Sequence, residues 1–183
     1  MTKSLLVIRM AIILVLLALT SLITVQAHEL HVAGSYSTDQ IRGTRIGYRW
    51  VNLSSQALDD WAWLKQPELH IEGAVNMWHT VNNRSDNILA LTISPILSWQ
   101  LSGGSRPLYL EAGIGASYLN HNQINGRGLS TGFQFEDRIG LSWQYSARSL
   151  DRITLSYVHY SNANIKRPND GLDFIVITLS KPF

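Results

Sequence analysis

The stretch F-Q-F-E-D-R-I-G-L-S-W-Q-Y, residues 133–145, alternates apolar and polar side chains. One face carries Phe133, Phe135, Ile139, Leu141, Trp143 and Tyr145, and the other carries Gln134, Glu136, Arg138, Ser142 and Gln144. A period of two residues is typical of a β-strand with two different surroundings. The polar face holds ionised groups in mid-strand, which is expected in the lumen of a membrane barrel, where such groups can pair.

Seven further segments alternate in the same way. They run through residues 30–36, 44–50, 69–77, 89–99, 108–118, 153–161 and 173–183. Most of the eight segments are about 9–13 residues long, the length that a tilted strand needs to cross a bilayer. Glu72 and Glu111 also lie in mid-strand on polar faces.

The ends of the apolar faces carry aromatic residues, as in the interfacial girdles of membrane barrels. These residues are Trp50, Trp99, Tyr118, Trp143 and Tyr145, and the chain ends on Phe183 in phase with the apolar face. We therefore predict an all-β fold, an eight-stranded antiparallel transmembrane β-barrel. Alternation alone also fits an exported soluble β-sandwich or a lipocalin-like barrel.

Residues 1–27 have the pattern of a cleaved signal peptide. Lys3 and Arg9 give a basic start, an apolar run follows, and Val25-Gln26-Ala27 offers small residues at the expected cleavage site. The alternative is an N-terminal membrane anchor, but the apolar run is short for a spanning helix. The barrel domain is then residues 28–183.

Charge and cysteine content exclude some classes of function. Without Lys3 and Arg9, the 15 basic residues fall to 13, which equals the 13 acidic residues. The sequence therefore gives no support for nucleic-acid binding. The chain has no cysteine, so it has neither disulfides nor a thiolate metal site. The other histidines (His28, His31, His70, His79 and His121) show no metal-ligand spacing, and we expect neither a metal nor a cofactor.

The segment Y-V-H-Y-S-N-A-N-I-K-R-P-N-D-G-L-D, residues 157–173, is the candidate site. His159 and Ser161 share one face of a strand about 6.5 Å apart, so their side chains can lean together. A turn around residues 168–171 returns the chain antiparallel and brings Asp173 beside His159. A hydroxyl, an imidazole and a carboxylate are the groups that a serine hydrolase uses.

These three residues keep the phase of the apolar faces, so they are expected to face lipid. Both termini of a bacterial barrel lie on the periplasmic side, which puts this hairpin at the outer-leaflet end. That position suits an enzyme acting on a lipid of the outer leaflet. Each residue taken alone also fits an ordinary rim position, since a polar group near the interface costs only about 0–1 kcal/mol.

The stretch H-Y-S-N-A-N-I-K-R-P-N-D-G-L-D-F resembles the C-terminal signature of the lipid A 3-O-deacylase (PagL-type) family. The F-x-F-E-D segment at residues 133–137 is also similar to that family. The resemblance implies an outer-membrane barrel that hydrolyses an ester-linked acyl chain of lipid A, with His159, Ser161 and Asp173 as its catalytic triad. Aspartate at 173 is a departure, because the family pattern has glutamate there. A further asparagine important in the family falls on Asn169.

The implied mechanism has Ser161 as nucleophile, His159 as base and acid, and Asp173 as the group that orients the imidazole. Asn169 is a candidate oxyanion donor, although a turn residue after Pro168 is an equal alternative. Lys166 and Arg167 are candidates for binding lipid phosphates, but exposed loop cations are more often only solvated.

The expected partners are lipopolysaccharide as substrate and the surrounding outer-membrane lipids. The sequence leaves the oligomeric state open, a homodimer included. Two other functions stay open at this point. One is a non-enzymatic small outer-membrane barrel, and the other is a phospholipase or acyltransferase with the same triad.

Overall fold

The computed structural model describes residues 27–51 and 67–183. Ten strands lie in these ranges: β1 (Ala27–Tyr36), β2 (Ile41–Val51), β3 (Glu68–Thr80), β4 (Asn87–Ser102), β5 (Leu108–Leu119), β6 (Gln123–Ile124), β7 (Arg127–Gly128), β8 (Phe133–Gln144), β9 (Arg152–Ser161) and β10 (Leu172–Pro182). The described residues include no helix that is long and apolar enough to cross a membrane.

Eight of these strands close into a barrel in the order β1-β10-β9-β8-β5-β4-β3-β2, and every neighbouring pair is antiparallel. The predicted eight-stranded antiparallel transmembrane barrel is confirmed. The predicted signal peptide lies almost wholly outside the described residues, as does most of the connection between β2 and β3, so the domain boundary at residue 27 stays a prediction.

One element was not predicted from the sequence. The segment 120–130, interpreted as a plain polar loop, contains the short antiparallel ribbon of β6 and β7. Gly126, with φ of 79°, forms its tight turn together with Asn125, which also has a positive φ. The ribbon has only two residues in each strand, too few for an alternating pattern to be visible.

The two faces of the barrel have opposite polarity. Apolar side chains of the outer wall, such as Ile46, Leu91 and Ile177, are about half exposed, whereas the alternate positions are buried in the lumen. In a water-soluble barrel the apolar face would be the enclosed one. The arrangement therefore matches a barrel whose outer wall is covered by lipid.

The lumen holds a network of three arginines and three glutamates. Arg45 binds Glu72 at 2.6 Å and Glu136 at 2.8 Å. Arg49 binds Glu72 and Glu111, each at 2.9 Å, and Arg138 binds Glu72 and Glu136, each at 2.9 Å. The prediction that Glu72, Glu111, Glu136 and Arg138 point inward and are paired is confirmed.

We expect Glu72→Gln to destabilise the barrel by about 3–5 kcal/mol, because it leaves buried arginines without their shared counter-charge. Glu68→Gln is the matched control, since the Glu68 side chain lies on the same strand and is 44% exposed. Urea unfolding of both variants in lipid vesicles measures the difference. Equal stability of the two variants would contradict this account of the lumen.

A buried apolar cluster lies inside the barrel, next to the end of β9 and the start of β10. Tyr160 packs edge-on against Trp78, with ring centroids 4.7 Å apart, and Phe174 stacks on Trp78 at 5.1 Å. Tyr160 also donates a hydrogen bond to Glu136, which ties this cluster to the charged network. Tyr160 and Phe174 are neighbours in sequence of His159 and Asp173. The cluster therefore supports, from inside, the part of the wall on which those two residues face outward.

Candidate active site

The hairpin of β9 and β10 brings the imidazole and the carboxylate together. His159 and Asp173 are directly opposite in the register of the two strands. His159 Nδ1 lies 2.7 Å from Asp173 Oδ1, a hydrogen-bond distance. The register expected from the sequence is therefore present in the structure.

The pair lies on the outward face of the sheet, at the end of β9 and the start of β10. The side chains of His159 and Asp173 are 32% and 39% exposed, so both can be reached from outside the barrel. On the neighbouring strand β8, Asp137 is opposite His159 and Phe135 is opposite Ser161. Ser161 is half-buried and shares the outward face with His159.

Ser161 is near the imidazole but not bonded to it. Within the described ranges, no hydrogen bond joins Ser161 Oγ to His159. Two positions along a strand separate the residues by about 6.5 Å, so a hydrogen bond requires both side chains to lean toward each other. Catalytic hydrogen bonds are often long before the substrate is bound, so this separation is compatible with a nucleophile and its base.

Asn169 is held by the residue that follows Ser161. Asn169 Oδ1 accepts a hydrogen bond of 3.0 Å from the backbone N–H of Asn162. Because the carbonyl oxygen of the amide is occupied in this way, the NH₂ group of the same side chain is the part left to donate. A donor next to the nucleophile is what an oxyanion hole requires.

Asn162 was not identified from the sequence, yet it organises the loop after β9. It is fully buried, and its Nδ2 donates to Leu129 O at 2.7 Å and to Lys166 O at 2.9 Å. The side chain thus joins the loop of residues 162–171 to the segment that follows the β6–β7 ribbon. Its only sequence signal is its place next to the candidate nucleophile.

Arg127 and Gly128 of the ribbon hold the other end of this loop. Arg127 Nε donates a hydrogen bond to Gly171 O at 2.8 Å, and Arg127 Nη2 donates one to Asp170 O. Gly128 N donates to Asp170 Oδ2 at 2.7 Å. Arg127 also pairs with Asp39 at 3.0 Å, so the β1–β2 turn contributes to the same brace.

Gly171 makes room for the imidazole. Its φ is 67°, and a Cβ built there would lie 2.8 Å from His159 Cε1. Any other residue would push against the ring and strain the backbone. From the sequence Gly171 is only a turn residue, and its second role follows from the way the turn folds against His159.

Lys166 and Arg167 are exposed in the loop that joins β9 to β10. Neither forms an ion pair with any residue that the structure describes. The same ranges contain no group of three or more histidine, aspartate or glutamate residues that could hold a metal ion.

Tyr157 lies next to the pair of His159 and Asp173. No role for Tyr157 was predicted from the sequence. It occupies the same outward face two residues before His159, and its hydroxyl donates a hydrogen bond to Asp173 Oδ1. The carboxylate oxygen that contacts the imidazole therefore has a second partner.

The chain is similar in sequence to proteins of one family. The model of the family described as Lipid A 3-O-deacylase (PagL) matches residues 44–182. A protein of Bordetella bronchiseptica named lipid A deacylase PagL is 31% identical over 156 residues, which cover 85% of this chain and 78% of the relative. A protein of the same name from Pseudomonas aeruginosa is 31% identical over 84 residues, 46% of this chain and 47% of the relative.

Solved structures show the same fold. The crystal structure of the outer membrane enzyme PagL superposes with a TM-score of 0.69 at 21% identity, covering 85% of this chain and 99% of that one. The N-terminal β-barrel domain of Pseudomonas aeruginosa OprF gives a TM-score of 0.53 at 12% identity, covering 86% of this chain and 97% of that domain.

Proposed function

The chain belongs to the lipid A 3-O-deacylase (PagL) family, and we propose that it hydrolyses the ester of the 3-O-linked acyl chain of lipid A with Ser161, His159 and Asp173. Membership in the family confirms the predictions of an ester hydrolase and of an outer-membrane barrel. The observation that carries the proposed mechanism is the contact between His159 Nδ1 and Asp173 Oδ1 on the outward face that also bears Ser161.

The reaction begins with attack of Ser161 Oγ on the ester carbonyl, while His159 Nε2 takes the hydroxyl proton. A bond forms between Oγ and the carbonyl carbon, and the bond from that carbon to the sugar oxygen breaks. The imidazolium returns its proton to the leaving sugar hydroxyl. Water then attacks the acyl-serine with His159 as base, which releases the fatty acid and restores Ser161.

Asp173 orients the base. With Nδ1–H donating to the carboxylate, the unprotonated nitrogen of the neutral ring is Nε2, the atom that must accept the serine proton. The carboxylate also stabilises the imidazolium that forms after proton transfer. Replacement of glutamate by aspartate is compatible with this role, because the direct opposition of residues 159 and 173 already brings the shorter side chain within 2.7 Å.

The NH₂ group of Asn169 donates a hydrogen bond to the oxyanion of the tetrahedral intermediates. Lys166 and Arg167, on the same exposed loop, pair with phosphate groups of the lipid head. In this proposal the loop holds its cations at the level of the head groups and its asparagine next to the nucleophile.

The position on the outer wall suits a substrate that is itself part of the membrane. The acyl chain of an outer-leaflet lipid lies against the barrel exterior, so the ester reaches the triad without the chain leaving the hydrocarbon region. A phospholipase or an acyltransferase could use the same groups, but family membership favours lipid A. A non-enzymatic barrel is disfavoured by the paired His159 and Asp173.

The proposal is tested on outer-membrane vesicles whose lipid A carries 3-O-linked acyl chains. We expect the purified barrel to remove one acyl chain from lipid A, which mass spectrometry detects as a loss of mass. Phospholipids in the same vesicles should stay intact. Vesicles without the protein are the control. Release of fatty acid from phospholipid alone would show a phospholipase instead.

A further inference from the structure

We propose that Tyr157 is a positioning residue of the active site, whose hydroxyl fixes the Asp173 carboxylate against His159. The inference rests on the proposed triad and extends it by a fourth side chain. Tyr157 acts through Asp173 and does not contact the reacting ester.

The register explains how the hydroxyl reaches the carboxylate. Tyr157 lies on β9 opposite Ile175 of β10, and His159 lies opposite Asp173. Tyr157 and Asp173 are therefore diagonal neighbours on the outward face, within reach of a long aromatic side chain. The hydroxyl of Tyr157 and Nδ1 of His159 converge on the same atom, Asp173 Oδ1.

The surroundings make this hydrogen bond necessary. Tyr157 is nearer the membrane middle than His159, and its outward neighbours Leu155, Ile139 and Ile175 are apolar and about half exposed to lipid. A hydroxyl without a partner in such a place costs free energy, and tyrosine hydroxyls usually find an acceptor there. Asp173 supplies that acceptor, which holds the Tyr157 ring beside the site.

The same hydrogen bond also orients the Asp173 carboxylate. The terminal torsion of an aspartate is broad, so a single contact does not define which way its oxygens point. Two donors on one oxygen determine that orientation, and a hydrogen bond to an ionised carboxylate is stronger than one between neutral groups. His159 then keeps the tautomer in which Nε2 accepts the proton of Ser161.

A tyrosine on a lipid-facing wall has another common role, that of an interfacial anchor. An anchor would act through the membrane interface and not through the triad, so the effect of removing its hydroxyl would not depend on Asp173. The positioning role needs the hydroxyl and needs Asp173. These two requirements separate the roles in a double-mutant experiment.

We expect Tyr157→Phe to lower kcat about tenfold, the effect of losing one hydrogen bond to a charged group, with KM little changed. Tyr36→Phe is the matched control, since Tyr36 is comparably exposed and lies opposite Ile175 from the β1 side, but within the described ranges its hydroxyl makes no hydrogen bond to Asp173. In the Asp173→Ala background, Tyr157→Phe should change kcat less than twofold. Unchanged activity of the single variant, or an equal loss in both backgrounds, would overturn the proposal.

The assay uses two substrates so that this inference and the proposed function fail separately. Lipid A in vesicles reports on the substrate, and a 4-nitrophenyl ester of a fatty acid reports on the triad alone. If the unmodified barrel cleaves only the nitrophenyl ester, the lipid A proposal is wrong, and the Tyr157 effect is still measured on that ester. Coupling between Tyr157 and Asp173 on either substrate supports the positioning role.

Discussion

We expect Ser161→Ala to abolish release of the 3-O-linked acyl chain and to leave the barrel folded. Without Oγ no acyl-enzyme can form, and loss of the nucleophile from such a triad costs on the order of 10⁶-fold in kcat. Because Ser161 is a half-buried residue of the outer wall, removing its hydroxyl has little effect on packing. Mass spectrometry of lipid A measures the loss. His159→Ala should be comparably inactive, since it removes the base.

Ser156→Ala is the matched control for this experiment. Ser156 lies on the same strand but is buried on the lumen side, away from the triad. It should retain activity. The folded state of each variant is checked by the change in gel migration on heating that closed barrels show. A folded Ser161→Ala barrel that still deacylates lipid A would refute the serine mechanism.

Asn169→Ala is expected to lower kcat by about 10²–10³-fold. The loss of one oxyanion donor typically costs about 2.7–4 kcal/mol of transition-state stabilisation. Single-turnover kinetics on lipid A separates this loss from substrate binding, which should change little because the donor acts mainly on the intermediate.

A second variant at the same position distinguishes the donor role from a structural one. Asn169→Asp keeps the oxygen that accepts the N–H of Asn162 but has no NH₂ group to donate. We expect it to be as impaired as Asn169→Ala. Near-normal activity of Asn169→Asp would mean that Asn169 only braces the loop, the turn-residue role that the sequence also allowed.

Much of the fold could be predicted because side chains of a β-strand alternate with an exact period of two. Residues such as Glu111 and Glu136 were therefore placed in the lumen without knowledge of their partners. The same periodicity placed His159 and Ser161 on the outer wall. Asp173 could be assigned to His159 because the turn around residues 168–171 returns the chain antiparallel, and because the resemblance to the family implies a carboxylate there.

The partners across the barrel were decided by the tertiary structure alone. Arg45 and Arg49 of β2 were not singled out in the sequence, and they reach Glu136 of β8 and Glu111 of β5 across the lumen only when the sheet closes. Arg127 reaches Gly171 from a ribbon 44 residues earlier in the chain. Such contacts depend on strand order and on where long side chains end, and no local pattern records either.

By itself, the sequence was enough to predict which face of each strand points outward, and so that His159, Ser161 and Asp173 lie on the same face. The tertiary structure decided how this site is supported. Tyr157 donates a hydrogen bond to the Asp173 carboxylate, Asn162 and Arg127 donate hydrogen bonds that hold the loop, and Gly171 lies close beside the imidazole. The physical reason is range. Alternation is a property of neighbouring residues, whereas a hydrogen bond between distant segments exists only once the closed sheet has brought them together.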